Sequence, residues 1–245
     1  MLTTHLDAGR DPWLIIGNGP SAWGIDATVV RRARVAARWH LQVVACNRTA
    51  LDVPVDYAAA QDREMVATLL RAAVQRRATL MVEQGALASL HLERPELLTG
   101  LVDGKNLLVF PTQASGTGTG DAVFHSLCLA GARTIILVGF DGSADRRTRW
   151  SGYPGYRQDP TSAHQFEEWE RRMATSARRA AVEFGRVPTI ARVGLSDRAN
   201  ALSTLVAIDV VARDAAAAAE EIVHLCARPT AAALRSITEG ATCQP

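Results

Sequence analysis

The sequence reads as a doubly wound, Rossmann-like α/β protein, with a mostly parallel sheet, helices on both faces and a helical C-terminal extension. Three observations point there. Short apolar runs without polar alternation recur along the chain, the pattern of strands buried on both faces. Amphipathic helical stretches separate them, which is the rhythm of βαβ units. Two of the runs stop at glycine-rich turns that open helices.

Trp13-Leu14-Ile15-Ile16 is the first run and ends at Gly17-Asn18-Gly19-Pro20-Ser21, a strand entering a tight turn. Ser21 is placed to cap a helix reaching residue 39. Residues 41–45 form the second strand, which ends at Cys46-Asn47-Arg48. The third covers residues 55–60 and leads through Gln61-Asp62 into an amphipathic helix ending near residue 77. Residues 79–82 form a fourth strand, and residues 84–104 short helices and turns, with Pro95 starting one. Residues 106–110 form a strand before the loop Ser115-Gly116-Thr117-Gly118-Thr119-Gly120, and a helix follows over residues 121–130. Gly131 breaks that helix, and Thr134-Ile135-Ile136-Leu137-Val138 is the next strand, ending at Gly139-Phe140-Asp141-Gly142.

Residues 143–160 are rich in Arg, Trp, Tyr, Gly and Pro and read as a lid-like loop. A charged amphipathic helix over residues 161–184 and a last strand over residues 187–193 complete a sheet of about six or seven strands. Residues 202–227, including the alanines from Ala215 to Ala219, read as largely helical. The expected organisation is a nucleotide-binding α/β domain over residues 1–200 and a helical extension over residues 201–245.

Composition narrows the function classes. The 245 residues are 48% hydrophobic, enough for a sizeable core, and the formal net charge is only +2. The arginines at 31, 32, 34 and 38 and at 146, 147 and 149 read as solvated faces, so no nucleic-acid partner is expected. Cys46, Cys128, Cys226 and Cys243 form no CxxC pair and read as reduced cysteines of a cytoplasmic protein. No Cys/His spacing supports a metal site. The polar start MLTTHLDAGRDPW is unlike a signal peptide, and no apolar run is long enough for a membrane span.

Ligands of open α/β sheets sit beyond the carboxyl ends of the strands. Those ends carry Gly17, Asn18, Gly19, Ser21, Asn47, Arg48, Asp62, the loop from Ser115 through Gly116, Thr117, Gly118 and Thr119 to Gly120, and Asp141. Backbone N–H groups at a helix start suit a phosphate, and small residues let it come close. Turn-making alone also explains glycines, but two such loops on one edge favour binding. The Gly17 to Ala22 stretch fits G-x-G-x-x-A, yet Asn47-Arg48 replaces the acid that would hold a dinucleotide ribose; Arg48 could face a 2′-phosphate, which keeps a flavin or NADP reading as a minor alternative. Asn18 and Asn47 offer amides for a ribose or a base edge. Asp62 and Asp141 suit a sugar hydroxyl, a cation or a helix cap. His125 reads as a packed core residue. Tyr153 and His164 are the better placed general bases.

Ile16-Gly17-Asn18-Gly19-Pro20-Ser21, Ala45-Cys46-Asn47-Arg48, Thr119-Gly120 and Ile135-Ile136-Leu137-Val138-Gly139-Phe140-Asp141 occur in that order. In this the chain resembles the bacterial sialyltransferases that use CMP-sialic acid. It is also similar to their phage-encoded relatives of unknown function and to the archaeal hydroxymethylpterin pyrophosphokinases. The resemblance covers roughly residues 13–200. It implies that Asn18 and Asn47 contact a CMP-linked donor and that Thr119-Gly120 lies at the donor phosphate. The family's histidine motif is matched by Trp150-Ser151-Gly152-Tyr153, with tyrosine in the histidine's place, and Arg48 stands where the family has glutamine.

The expectation is a glycosyltransferase-like enzyme with a nucleotide-activated donor, Asp141 positioning donor or acceptor, and Tyr153 or His164 taking the acceptor proton. One alternative is a pyrophosphokinase-like phosphotransferase with magnesium held by Asp62 or Asp141. The other is a non-enzymatic nucleotide-binding protein of phage origin.

Overall fold

The structure is a computed structural model describing Leu6 and residues 12–76, 78–101, 107–110, 118–141, 163–195 and 202–228. Eight strands form one sheet, all parallel, in the order β5-β4-β3-β2-β1-β6-β7-β8. They are β1 (Trp13–Ile16), β2 (Gln42–Cys46), β3 (Tyr57–Ala60), β4 (Thr79–Glu83), β5 (Leu107–Phe110), β6 (Thr134–Val138), β7 (Thr189–Gly194) and β8 (Val206–Val211). The helices are α1 (Ala27–Ala36), α2 (Arg63–Arg76), α3 (Gln84–Glu93), α4 (Thr119–Leu129), α5 (Ala163–Phe184) and α6 (Ala215–Ala227). The chain is therefore the Rossmann-like α/β protein its sequence indicates.

The continuous apolar runs have a physical cause. β1 is buried along its whole length and pairs with β2 on one side and β6 on the other. Its alternate residues feed two separate cores. Leu14 and Ile16 join residues of β2 and β3 under α1, α2, α3 and α6. Trp13 and Ile15 join Val44, Cys46 and Ala59 under α4 and α5. Each fully buried Leu or Ile contributes on the order of 1.5–3 kcal/mol. Helices cover both faces, so neither face of the strand needs polar residues.

Strands β1 to β5 run outward in sequence, and the chain then returns across the sheet to place β6 beside β1. The strand order thus reverses at the β1/β6 boundary, where open α/β sheets form a crevice at the strands' carboxyl ends.

Two expectations are corrected. Ser21 does not cap the first helix. It lies in a turn of 3-10 helix, Pro20–Ala22, and α1 starts at Ala27 with Asp26 as its cap, whose Oδ1 accepts from the Val29 N–H at 2.8 Å. The region expected to be helical from residue 202 contains β8, rich in β-branched residues and alternately half-buried and exposed as an edge strand. β8 pairs with β7, and α6 packs against α1 in the first core, so this region extends the same sheet. Among the described residues no helix is long and apolar enough to cross a membrane.

Candidate functional site

The turn after β1 is fastened to the turn after β6. The Gly17 N–H donates to the Val138 carbonyl at 2.8 Å and the Gly19 N–H to the Gly139 carbonyl at 3.0 Å. A Cβ on Gly17 would stand 2.5 Å from the Gly139 oxygen, and one on Gly19 would stand 2.5 Å from Asp141 Oδ2. Gly139 itself has φ +79°. Backbone contact with the neighbouring turn is therefore sufficient reason for glycine at 17 and 19.

Asp141 is the centre of this fastening. Its Oδ2 accepts from the Ser21 N–H and from the Ser21 hydroxyl, both at 2.9 Å. Its Oδ1 accepts from the Leu195 N–H just after β7, also at 2.9 Å. The Ser21 hydroxyl in turn accepts from the Gly139 N–H at 2.8 Å. Asp141 is buried, and three donors on two other segments hold its carboxylate. A carboxylate so engaged ties the ends of β1, β6 and β7 into one rim.

Beside this rim the two strand-end asparagines come under control of two threonines. The Thr49 hydroxyl donates to Asn18 Oδ1 at 2.7 Å, and the Thr119 hydroxyl donates to Asn47 Oδ1 at 3.0 Å. Asn47 has φ +53°, the left-handed region that asparagine enters more easily than most residues. With both amide oxygens held, neither NH2 group has a hydrogen-bond partner among the described residues, and each can donate to another group. Arg48 is half-buried in the same 3-10 turn, Asn47–Leu51.

The third component is the start of α4. Gly118 is its N-cap residue, and among the described residues no side chain caps the first turn. Aromatic rings pack on both sides of that turn. A Cβ on Gly118 would meet the Trp169 ring at 3.0 Å, and one on Gly120 would meet the Phe140 ring at 2.5 Å. These two glycines admit rings against the helix backbone. Phe166 meets Trp169 edge-on, with ring centroids 5.3 Å apart.

Asp121 lies in the same turn, buried, with no hydrogen-bond partner for either carboxyl oxygen among the described residues. Burial pushes its carboxyl up to about 7. The Arg172 guanidinium and the first-turn N–H groups of Gly118, Asp121 and Ala122 pull the other way, without reaching hydrogen-bond geometry.

The structure thus brings Gly17, Asn18, Gly19, Ser21 and Asp141 together at the switch point, and joins Asn47 to Thr119 beside them. Asp62 is exposed ahead of α2, with no side-chain hydrogen bond to this group among the described residues. Ser115, Gly116, Thr117, Tyr153 and the loop over residues 143–160 lie outside the described residues, as does the side chain of His164, whose backbone belongs to the start of α5. His125 is half-buried between α4 and α5, its Nδ1 2.8 Å from the Ser176 hydroxyl, as expected of a packed residue. Cys46, Cys128 and Cys226 are buried free thiols, each pushed up to about 12 by burial. Among the described residues no group of three or more His, Cys, Asp or Glu is gathered as a metal site.

Thr49 and Asp121 were not evident as site residues in the sequence. Thr49 follows Asn47 by two positions, which is a signal only once Asn18 is known to lie opposite. An aspartate in a first helical turn ordinarily marks the dipole, and nothing in its spacing signals burial.

No protein-family model matches the chain, and no curated protein matches it significantly.

Proposed function

We propose that the chain is a glycosyltransferase-like enzyme that takes its group from a nucleotide-activated donor. The observation that carries the reading is the hydrogen bond from Thr119 to Asn47, which joins the start of α4 to the end of β2. It sets an uncapped helix start, suited to a phosphate, next to an amide suited to a ribose or base. In this reading the first-turn N–H groups of α4 hold the donor phosphate, and the NH2 groups of Asn18 and Asn47 orient the nucleoside. The rim built by Gly17, Gly19, Ser21 and Asp141 keeps Asn18 in place. A departing nucleotide phosphate needs charge stabilisation more than covalent help, which fits a site rich in amides.

His164 or Tyr153 would take the acceptor proton. The sequence resemblance supports a CMP-linked donor. The charge and cysteine pattern support a cytoplasmic protein with no nucleic-acid partner, and the strand-end loops support a small-molecule substrate.

A thermal-shift screen of CMP, CDP, UDP, GDP, ATP and NADP, each with and without magnesium, tests the reading. A ligand at ~100 times its dissociation constant should add about 2.7 kcal/mol of stability. No shift with any of them would remove the nucleotide reading. A shift and turnover strictly dependent on magnesium would replace the transferase with a phosphotransferase. Binding without turnover above spontaneous donor hydrolysis would leave a nucleotide-binding protein.

A further inference from the structure

An uncapped helix start attracts anions, because its free N–H groups point outward with the positive end of the dipole behind them. At the start of α4 one acidic side chain stands where that attraction acts. Asp121 is 5% exposed, and neither carboxyl oxygen has a hydrogen-bond partner among the described residues. A buried carboxylate without partners is costly, so the residue has to be explained. Its neighbour two positions earlier, Thr119, holds Asn47. The unpartnered carboxyl therefore belongs to the same turn as the residues that frame the site.

We propose that Asp121 is a ligand-binding residue of this site, donating a carboxylic acid hydrogen bond to an oxygen of the phosphodiester in a nucleotide-activated donor. This rests on the nucleotide reading above. An ionised Asp121 would repel that phosphate from the turn that should hold it. The acid form adds one O–H donor to the N–H donors already there. When the ligand binds to the ionised form, the proton comes from solvent and stays on the carboxyl, and no other atom moves.

The surroundings are compatible with a proton at neutral pH. Burial raises the Asp121 carboxyl to about 7. Arg172 on α5, whose Nε is bonded to Glu168 Oε1 at 3.0 Å, and the N–H groups of Gly118, Asp121 and Ala122 oppose this without overcoming it. Cys46 on β2 is the other titratable neighbour, and its thiol, pushed up to about 12, stays neutral. His125 is one turn further along α4, and burial and Arg179 lower its imidazole, which is therefore neutral above pH 7. Among these described neighbours, proton uptake on ligand binding just above neutrality is expected of Asp121 alone.

Calorimetry of the wild-type protein tests this with UDP-glucose, CMP-sialic acid, GDP-mannose and NAD, whose phosphates are all diesters without a proton to exchange near neutrality. Titration at about pH 8 in two buffers of different ionisation enthalpy counts the protons taken up. The expected result is uptake approaching one proton per ligand, with affinity falling up to tenfold per pH unit above about 7. Asp121→Asn should bind with no uptake and with an affinity flat over that range. Wild-type binding without uptake would overturn the inference and leave the nucleotide reading standing. So would a folded Asp121→Asn protein that keeps the wild-type pH profile. If the variant does not fold, a wild-type count near zero still overturns the inference, and uptake lost in His164→Ala would overturn it by moving the proton to that residue. No binding of any of the four ligands by folded wild type would overturn both readings.

Discussion

The Thr119 hydroxyl donates to the Asn47 amide oxygen at 3.0 Å, joining positions 72 residues apart. Asn47 holds this bond from a left-handed backbone, φ +53°. Two substitutions separate the roles. Asn47→Gly removes the amide and keeps the backbone unstrained, whereas Asn47→Ala removes the amide and places a Cβ in the left-handed region. The alanine variant should be less stable than the glycine variant by about 1 kcal/mol in urea unfolding, after allowing for the glycine's greater unfolded-state freedom. Both should weaken nucleotide binding by ~1–3 kcal/mol by calorimetry. Affinity unchanged in both variants would confine Asn47 to making the turn.

Gly19 makes a different prediction. A Cβ there would lie 2.5 Å from Asp141 Oδ2 and 2.7 Å from the Gly139 carbonyl oxygen. One of those atoms is backbone in a neighbouring turn and cannot swing away. Gly19→Ala should therefore cost more than ~2 kcal/mol of stability, the range of overpacked cores. Gly185→Ala is the useful contrast. Unlike Gly19, whose φ is −70°, it has a positive φ, +68°, but a Cβ there meets nothing within 4 Å, so its cost should stay near ~1 kcal/mol. Equal losses for the two variants would show that contact with Gly139 and Asp141 is not what requires glycine at position 19.

These contrasts also show how far the sequence could be read. β1, β2 and β6 were legible because both of their faces meet helices, which removes polar alternation. Asn18 and Asn47 were legible as amides at strand ends. The start of α1 was not, because Ser21 has the chemistry of a cap while its hydroxyl is drawn to Asp141, 120 positions away. β8 was hidden by the alanine-rich helix that follows it and by its exposed, alternating face. The fastening role of Asp141 depends on the Leu195 N–H after β7 and the Ser21 N–H after β1, and no local pattern encodes that meeting.

Asp141→Ala should expose the consequence of that meeting. It leaves the buried Ser21 N–H and hydroxyl, and the half-buried Leu195 N–H, without their acceptor. Each unsatisfied donor costs about 1–3 kcal/mol, partly recovered where water enters. The expected loss is roughly 3 kcal/mol or more in urea unfolding. Ser21→Ala removes one donor together with the acceptor for the Gly139 N–H, and should cost less than Asp141→Ala. A loss below ~1 kcal/mol for Asp141→Ala would free Asp141 for the substrate role that the sequence alone suggested.

The pH dependence of stability gives a ligand-free measurement on Asp121. Its folded-state carboxyl lies at about 7, raised by burial, while an aspartate in an unfolded chain titrates near ~3.9. Between those values the folded protein holds a proton that the unfolded chain has lost. Stability from this group is therefore fully present below about pH 4 and declines as pH rises to about 7. The difference of some three units corresponds to up to ~4 kcal/mol, at about 1.4 kcal/mol per unit. Asp121→Asn cannot ionise, so it should gain on the wild type across the same window. The two proteins should be closest near pH 4, and the variant should be more stable by ~2–4 kcal/mol at pH 8. His125 titrates in the opposite sense, its imidazole lowered by burial, but it is common to both proteins and drops out of their difference. Urea unfolding of both proteins at about pH 5, 6, 7 and 8 measures that difference directly. A difference that stays constant over the series would mean that Asp121 is ionised throughout, and the carboxyl would then be a fixed negative charge at the start of α4 that no phosphate could approach without cost.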